Sequence, residues 1–177
     1  GGPIGNGNNL WPSTLRAAEH GYRALLYQGF EKDEIQLLAP SLELDFDGND
    51  DFDDVDGIVS STEIEQSLSG WAKDASELVV YVIGHGGQNK FQINKGGELL
   101  EASSLASWLD RFQQETGRRV TLIYDACRSG SFLATEVVTA AYDRVIVTSS
   151  SGDQPAWFID QGRISFSYQF WSAVFGK

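Results

Sequence analysis

Two residues able to do covalent chemistry stand just past two apolar runs of this chain. Leu78 to Ile83 reads LVVYVI and leads into Gly84-His85-Gly86-Gly87, while Val120 to Tyr124 reads VTLIY and leads into Asp125-Ala126-Cys127-Arg128-Ser129-Gly130-Ser131. Continuous β-branched runs of this length have the composition of parallel strands covered on both faces. Side chains beyond the carboxyl ends of such strands meet in the crevice where open parallel sheets bind ligands. His85 lies two residues past its run and Cys127 three past its own. An imidazole and a thiol are therefore expected on one rim, on strands about 4.8 Å apart. A lone cysteine is more often a small buried apolar residue. Here an aspartate, an arginine and serines surround it, and such neighbours suit a reactive thiolate, which needs polar and partly exposed surroundings. Gly86 and Gly87 let the backbone approach a substrate closely and aim N–H groups at a developing oxyanion, with the Cys127 N–H as a second donor.

The elements that must hold these groups follow from composition and period. The chain has 177 residues, 41% hydrophobic and 12% aromatic, enough to bury one sizeable core, so residues 1–177 read as a single domain. Its 25 acidic and 13 basic residues give a net charge of −12, which argues against nucleic acid or an anionic membrane surface as partner. One cysteine excludes an internal disulfide framework, and no apolar run reaches the ~18 residues of a membrane span. Export is left open by a chain that starts at Gly1 without an initiator methionine.

After a Gly- and Asn-rich start, Leu15, Ala18, Tyr22, Leu25 and Leu26 at helical spacing predict a first helix ending near Gly29. Glu34 to Ala39 reads as a short buried strand. Ser60 with Glu63 is a capping box ahead of a helix carrying Ile64, Leu68, Trp71 and Ala72. Residues 90–100 predict a hairpin turning at Gly96-Gly97. A third helix carries Leu105, Trp108, Leu109 and Phe112 and stops at Gly117. Val145 to Val147 is a further strand, residues 131–143 are expected to be helical, and a last helix carries Phe166, Phe170, Trp171 and Val174. Strands alternating with helices predict an α/β sandwich, a mostly parallel central sheet with helices on both faces.

VVYVIGHGG, then VTLIYDACRSGS about forty residues on, resembles the legumain family of caspase-like cysteine peptidases, which includes the catalytic subunit of GPI transamidase. The likeness runs over roughly residues 8–177. It rests on an apolar strand ending in His85-Gly86 and a second ending in Asp125-Ala126-Cys127, with GHGGQNKFQIN favouring this family over caspases proper. The resemblance implies a caspase-like three-layer sandwich. It makes Cys127 the nucleophile, His85 the general acid for the leaving amine, and the N–H groups of Gly86 and Cys127 the oxyanion hole. It implies peptide or protein substrates, and a specificity pocket lined by Asp125, Ser149 and Ser150, with Arg16 near but out of register with the family's first-loop arginine. The expected preference is a polar or basic P1 residue: Asn, Arg or Lys. By the same likeness the chain opens where the family's first strand would just have ended, so the expectation is a domain without that strand or with one supplied from elsewhere.

Eight acids lie between Glu43 and Asp56, inside an Asp-rich insertion spanning residues 43–58. Asp45, Asp47, Asn49, Asp51 and Asp56 follow the spacing of an EF-hand loop, with Asp50 where that loop needs glycine. These five are the expected Ca²⁺ ligands, and the ion would be structural or regulatory because thiolate chemistry needs no cofactor. The alternative is a solvated acidic loop. His20 is expected on the surface or in packing, Trp11, Trp71, Trp108 and Trp171 in the core, and Trp157 as a groove wall or a cap on the core. Two other functions share this sequence: a transpeptidase using the same site, and an inactive Ca²⁺-binding interaction domain.

Overall fold

A computed structural model describes residues 10–134, 137 and 142–176. In chain order the elements are α1 (Trp11–Tyr27), β1 (Leu38–Ala39), β2 (Gly57–Ile58), α2 (Ser61–Ser69), β3 (Glu77–Gly87), β4 (Lys90–Gln92), β5 (Leu99–Glu101), α3 (Ala102–Thr116), β6 (Arg119–Ala126), β7 (Arg144–Thr148) and α4 (Phe166–Phe175). The main sheet has five strands in the order β5-β4-β3-β6-β7. The apolar runs pair as their composition demands: β3 lies parallel to β6 from Glu77↔Arg119 to Gly84↔Ala126, and β6 lies parallel to β7 from Val120↔Arg144 to Tyr124↔Thr148. The chain is mixed α/β with a mostly parallel sheet.

Helices cover both faces. Val80, Val82, Leu122 and Tyr124 join the α2 and α3 side chains Leu68, Leu105, Leu109 and Phe112 in the larger core. Tyr81 and Ile123, of the opposite parity, pack with Ala24 of α1 and Phe166, Phe170 and Trp171 of α4. Alternation along each strand therefore assigns one set of side chains to each helical layer. At the strands' amino edge the Arg144 guanidinium is only 1% exposed. It donates to Asp110 Oδ1 (2.5 Å), Gln113 Oε1 (2.6 Å) and the Val137 carbonyl (3.3 Å), fastening β7 to α3.

Two of the expected helix boundaries are realised. Ser60 Oγ accepts the Glu63 N–H at the start of α2, and Gly117, at φ 67°, closes α3. The 90–100 hairpin forms between β4 and β5. In addition β4 pairs antiparallel with the last residues of β3, His85↔Gln92 to Gly87↔Lys90, which the apolar pattern does not reveal.

Three expectations change. Only Leu38–Ala39 of the 34–39 segment is a strand, and it pairs with Gly57–Ile58 in a separate two-stranded sheet. The preceding residues curl instead, because Glu34 reaches back to the Glu31 N–H and the Ile35 N–H bonds to the Lys32 carbonyl. Trp71 lies beyond Gly70, which ends α2, and is 40% exposed with its indole N–H on the Asp33 carbonyl. Of the helix expected over 131–143, a helical turn spans Ser129–Ala134; residues 135, 136 and 138–141 lie outside the described residues. No helix among the described residues is long and apolar enough to cross a membrane.

Candidate active site

The register of β3 and β6 sets the geometry. Gly84 is level with Ala126, so His85 and Cys127 are each one residue beyond the last paired position. Gly86 is pressed against the second strand's end: a Cβ built on it would collide with the Cys127 carbonyl oxygen and lie 2.8 Å from Ala126 Cβ and 3.0 Å from the Tyr124 hydroxyl. Only glycine fits that approach. Cys127 is free and half-buried, with Sγ 3.9 Å from the Ala156 carbonyl. His85 is half-buried as well, and its Nε2 is buried with no hydrogen-bond partner among the described residues. Burial disfavours the imidazolium and lowers the His85 pKa below its usual 6.5.

The chain turns sharply after the thiol. Arg128 sits at φ 59°, a left-handed conformation that costs a non-glycine residue of the order of 1 kcal/mol. Surrounding hydrogen bonds hold it. The Arg128 N–H donates to the Gln154 carbonyl (2.8 Å) and the Gly130 N–H to the Ser150 carbonyl (2.9 Å). The buried Ser129 hydroxyl accepts the Ser150 N–H (3.1 Å), and the Ser129 N–H donates to Ser150 Oγ (3.2 Å). The loop that follows β7 is thus bound to the turn that carries Cys127.

Each residue expected near a substrate has a definite place. Asp125, 1% exposed, accepts both the N–H (3.1 Å) and the hydroxyl (2.5 Å) of Ser167 on Oδ2. Burial raises its pKa, opposed by the Ser149 and Ser167 hydroxyls and the Ser167 N–H. Ser149 Oγ is 3.4 Å from Ser129 Oγ. The Ser150 hydroxyl donates to the Ala126 carbonyl at 3.0 Å, turned toward the backbone beside the thiol. Arg16 donates to Gln161 Oε1 (2.9 Å), on the loop before α4. Trp157, next to Ala156, is 70% exposed and so does not cap the core. His20 stacks on Tyr168 with ring centroids 4.3 Å apart and bonds Ser172 Oγ, a packing role. Ser167 and Ser129 were not legible as site residues. Ser167 reaches Asp125 from 42 positions away.

The acidic loop gathers differently from its spacing. Asp45 and Asp47 converge with Asp54, ligand atoms all within 4.8 Å, whereas an Asp56 oxygen accepts the Leu37 N–H and the Asn49 side-chain oxygen accepts the Asp51 N–H. Asp50 nevertheless takes φ 70°, the turn that glycine supplies in an EF-hand. Lys32 reaches the cluster, 3.0 Å from Asp47, 2.7 Å from Asp53 and 2.9 Å from Asp54. Burial would raise the Asp54 pKa, but Lys32, the N–H groups of Asp47 and Phe46 and the Tyr22 hydroxyl outweigh it and hold it below the usual 3.8.

A model of the Peptidase C13 family matches residues 65–170, more than half of the chain and the stretch that contains both His85 and Cys127. The chain belongs to the Peptidase C13 family. That membership points to cysteine peptidase activity in general, with peptides or proteins as substrates. A search of curated proteins found no match.

Two outcomes follow from this geometry. Gly86→Ala must push the Cys127 backbone aside, and a shift of about 1 Å at reacting groups is worth roughly 100-fold; a loss of that size in kcat/KM on the best peptide substrate is expected, and unchanged kinetics would contradict the close approach. Because the folded state favours neutral His85, the stability this contributes is complete above pH 6.5 and is lost as pH falls toward the lowered value. Thermal melts of His85→Gln between pH 7.5 and 5 should therefore decline less than those of the wild type; parallel declines would show that burial does not govern this imidazole.

Proposed function

We propose that the protein is a cysteine endopeptidase working through a Cys127–His85 dyad. The observation that carries this reading is the β3–β6 ladder, which stops one residue short of both His85 and Cys127 and leaves Gly86 pressed against the carbonyl of a half-buried Cys127. The Cys127 thiolate attacks the scissile carbonyl, forming a C–S bond and an oxyanion held by the Gly86 and Cys127 N–H groups. As the C–N bond breaks, protonated His85 gives its proton to the departing amine. Neutral His85 then takes a proton from water, which attacks the thioester, releases the acid product and regenerates the thiolate.

Asp125 and Ser149 are the residues proposed for the P1 pocket. Burial disfavours the Asp125 carboxylate more than the Ser149 and Ser167 groups favour it, so the ionised form lacks a full counter-charge. A basic P1 side chain would neutralise that charge, and an asparagine amide would donate to it, so the preference is polar or basic. Trp157, exposed beside the Ala156 carbonyl that faces Sγ, is the proposed wall of the peptide groove. The arrangement of layers is compatible with a caspase-like sandwich.

The acidic loop is proposed as a structural Ca²⁺ site. Three converging carboxylates and the left-handed Asp50 support it, and Asp45, Asp47 and Asp54 are the residues that would hold the ion. The bound ion would supply positive charge to the loop and take no part in bond cleavage.

Hydrolysis of a P1-randomised peptide library should favour Asn, Arg or Lys and vanish in Cys127→Ala; equal residual cleavage by wild type and variant would refute the peptidase reading. Added amines that divert the acyl group from water would identify a transpeptidase. Millimolar Ca²⁺ should raise the melting temperature by several degrees, reversibly with chelator. Superimposable melts would refute the Ca²⁺ site and leave Lys32 and Arg23 as the loop's counter-charge.

A further inference from the structure

We propose that Ser131 is a positioning residue that sets the separation of His85 and Cys127, an inference that rests on the dyad reading above. Ser131 is 2% exposed. Its Oγ accepts the backbone N–H of Asn89 at 2.9 Å. Asn89 stands four residues after His85, and Ser131 four after Cys127, so this hydrogen bond ties the turn leaving β3 to the turn leaving β6.

The bond acts where the strands no longer do. Ladder pairing between β3 and β6 stops at Gly84↔Ala126; beyond it one chain continues into the hairpin with β4 and the other enters the left-handed turn at Arg128. Both ends of the link are themselves fixed. Asn89 is at φ 56° inside the β3–β4 turn. The Ser131 N–H donates to the Arg128 carbonyl at 2.9 Å, closing the turn that follows the thiol. The loop after β7 backs onto the same residue, since a Cβ at Gly152 would lie 3.2 Å from the Ser131 nitrogen. Ser131 is accordingly the point at which three loops meet, and its hydroxyl couples the imidazole's strand to the sulfur's.

Among the described residues the Ser131 hydroxyl bonds a turn N–H and no core side chain, so its removal should loosen the dyad rather than unfold the domain. The test is the pH profile of Cys127 alkylation by iodoacetamide, a probe that needs no peptide hydrolysis. Burial alone favours neutral His85; a thiolate within reach offsets that burial, so a close pair holds an imidazolium beside the sulfur and keeps thiolate present at acidic pH. In Ser131→Ala, alkylation at pH 6 should slow about tenfold and the profile should move to that of an isolated thiol, with the melting temperature lowered by only a few degrees. Ser131→Thr, which retains the hydroxyl, should restore the wild-type profile. In peptide hydrolysis the alanine variant should lower kcat by a similar factor with KM little changed. Should the alanine variant not fold, the isosteric pair Ser131→Thr and Ser131→Val asks the same question, with only the valine variant expected to lose the acidic reactivity.

A Ser131→Ala profile that overlays the wild type would overturn the inference, as would a wild-type profile already like that of an isolated thiol. A wild type that hydrolyses no peptide, yet shows the acidic reactivity and loses it in Ser131→Ala, would sink the peptidase reading and leave the positioning role standing.

Discussion

The site depends on one constraint, the parallel register of β3 with β6. Eight consecutive pairs, Glu77↔Arg119 to Gly84↔Ala126, end the shared ladder one residue short of both His85 and Cys127. A slip of one residue would exchange the faces of every side chain on one strand, sending Tyr81 toward α2 and α3 and Val80 toward α1 and α4. Both helical layers oppose that slip, because each packs against side chains of one parity only. The register of the strands is thus enforced by the whole of both cores, and the polar groups at the rim inherit it.

Above the rim, apolar packing gives way to hydrogen bonding. Ser129 and Ser150 exchange N–H and hydroxyl groups, and the Ser150 hydroxyl caps the Ala126 carbonyl. Side-chain hydroxyls suit this crowded rim because they are short, lose little rotamer freedom, and both donate and accept within a buried space. They also keep the neighbourhood of a single thiol polar, the setting in which a thiolate persists.

What the sequence discloses divides along physical lines. The buried strands and amphipathic helices were legible because burial on two faces or one stripe imposes a period on the residues themselves, as in LVVYVI or Leu105, Trp108, Leu109 and Phe112. The His85–Cys127 pairing was legible because it follows from where those strands end. Long-range polar choices were not. Asp54 in the acidic cluster owes its place to Tyr22 and Lys32, more than twenty residues earlier, and no spacing within the loop encodes them. Ser150 carries the same side chain as Ser149, yet it faces the Ala126 carbonyl while Ser149 lies toward Asp125. The 34–39 segment has a strand's composition but begins with Glu34, whose carboxylate finds a backbone N–H nearby and diverts the chain into a turn.

The Arg144 clamp lies at the opposite edge of the sheet from the thiol, gripping Asp110 and Gln113 of α3 and the Val137 carbonyl from a fully sheltered position. One end of the sandwich is thereby riveted. A force pulling β7 from α3 there would have to strip an enclosed guanidinium from three acceptors at once.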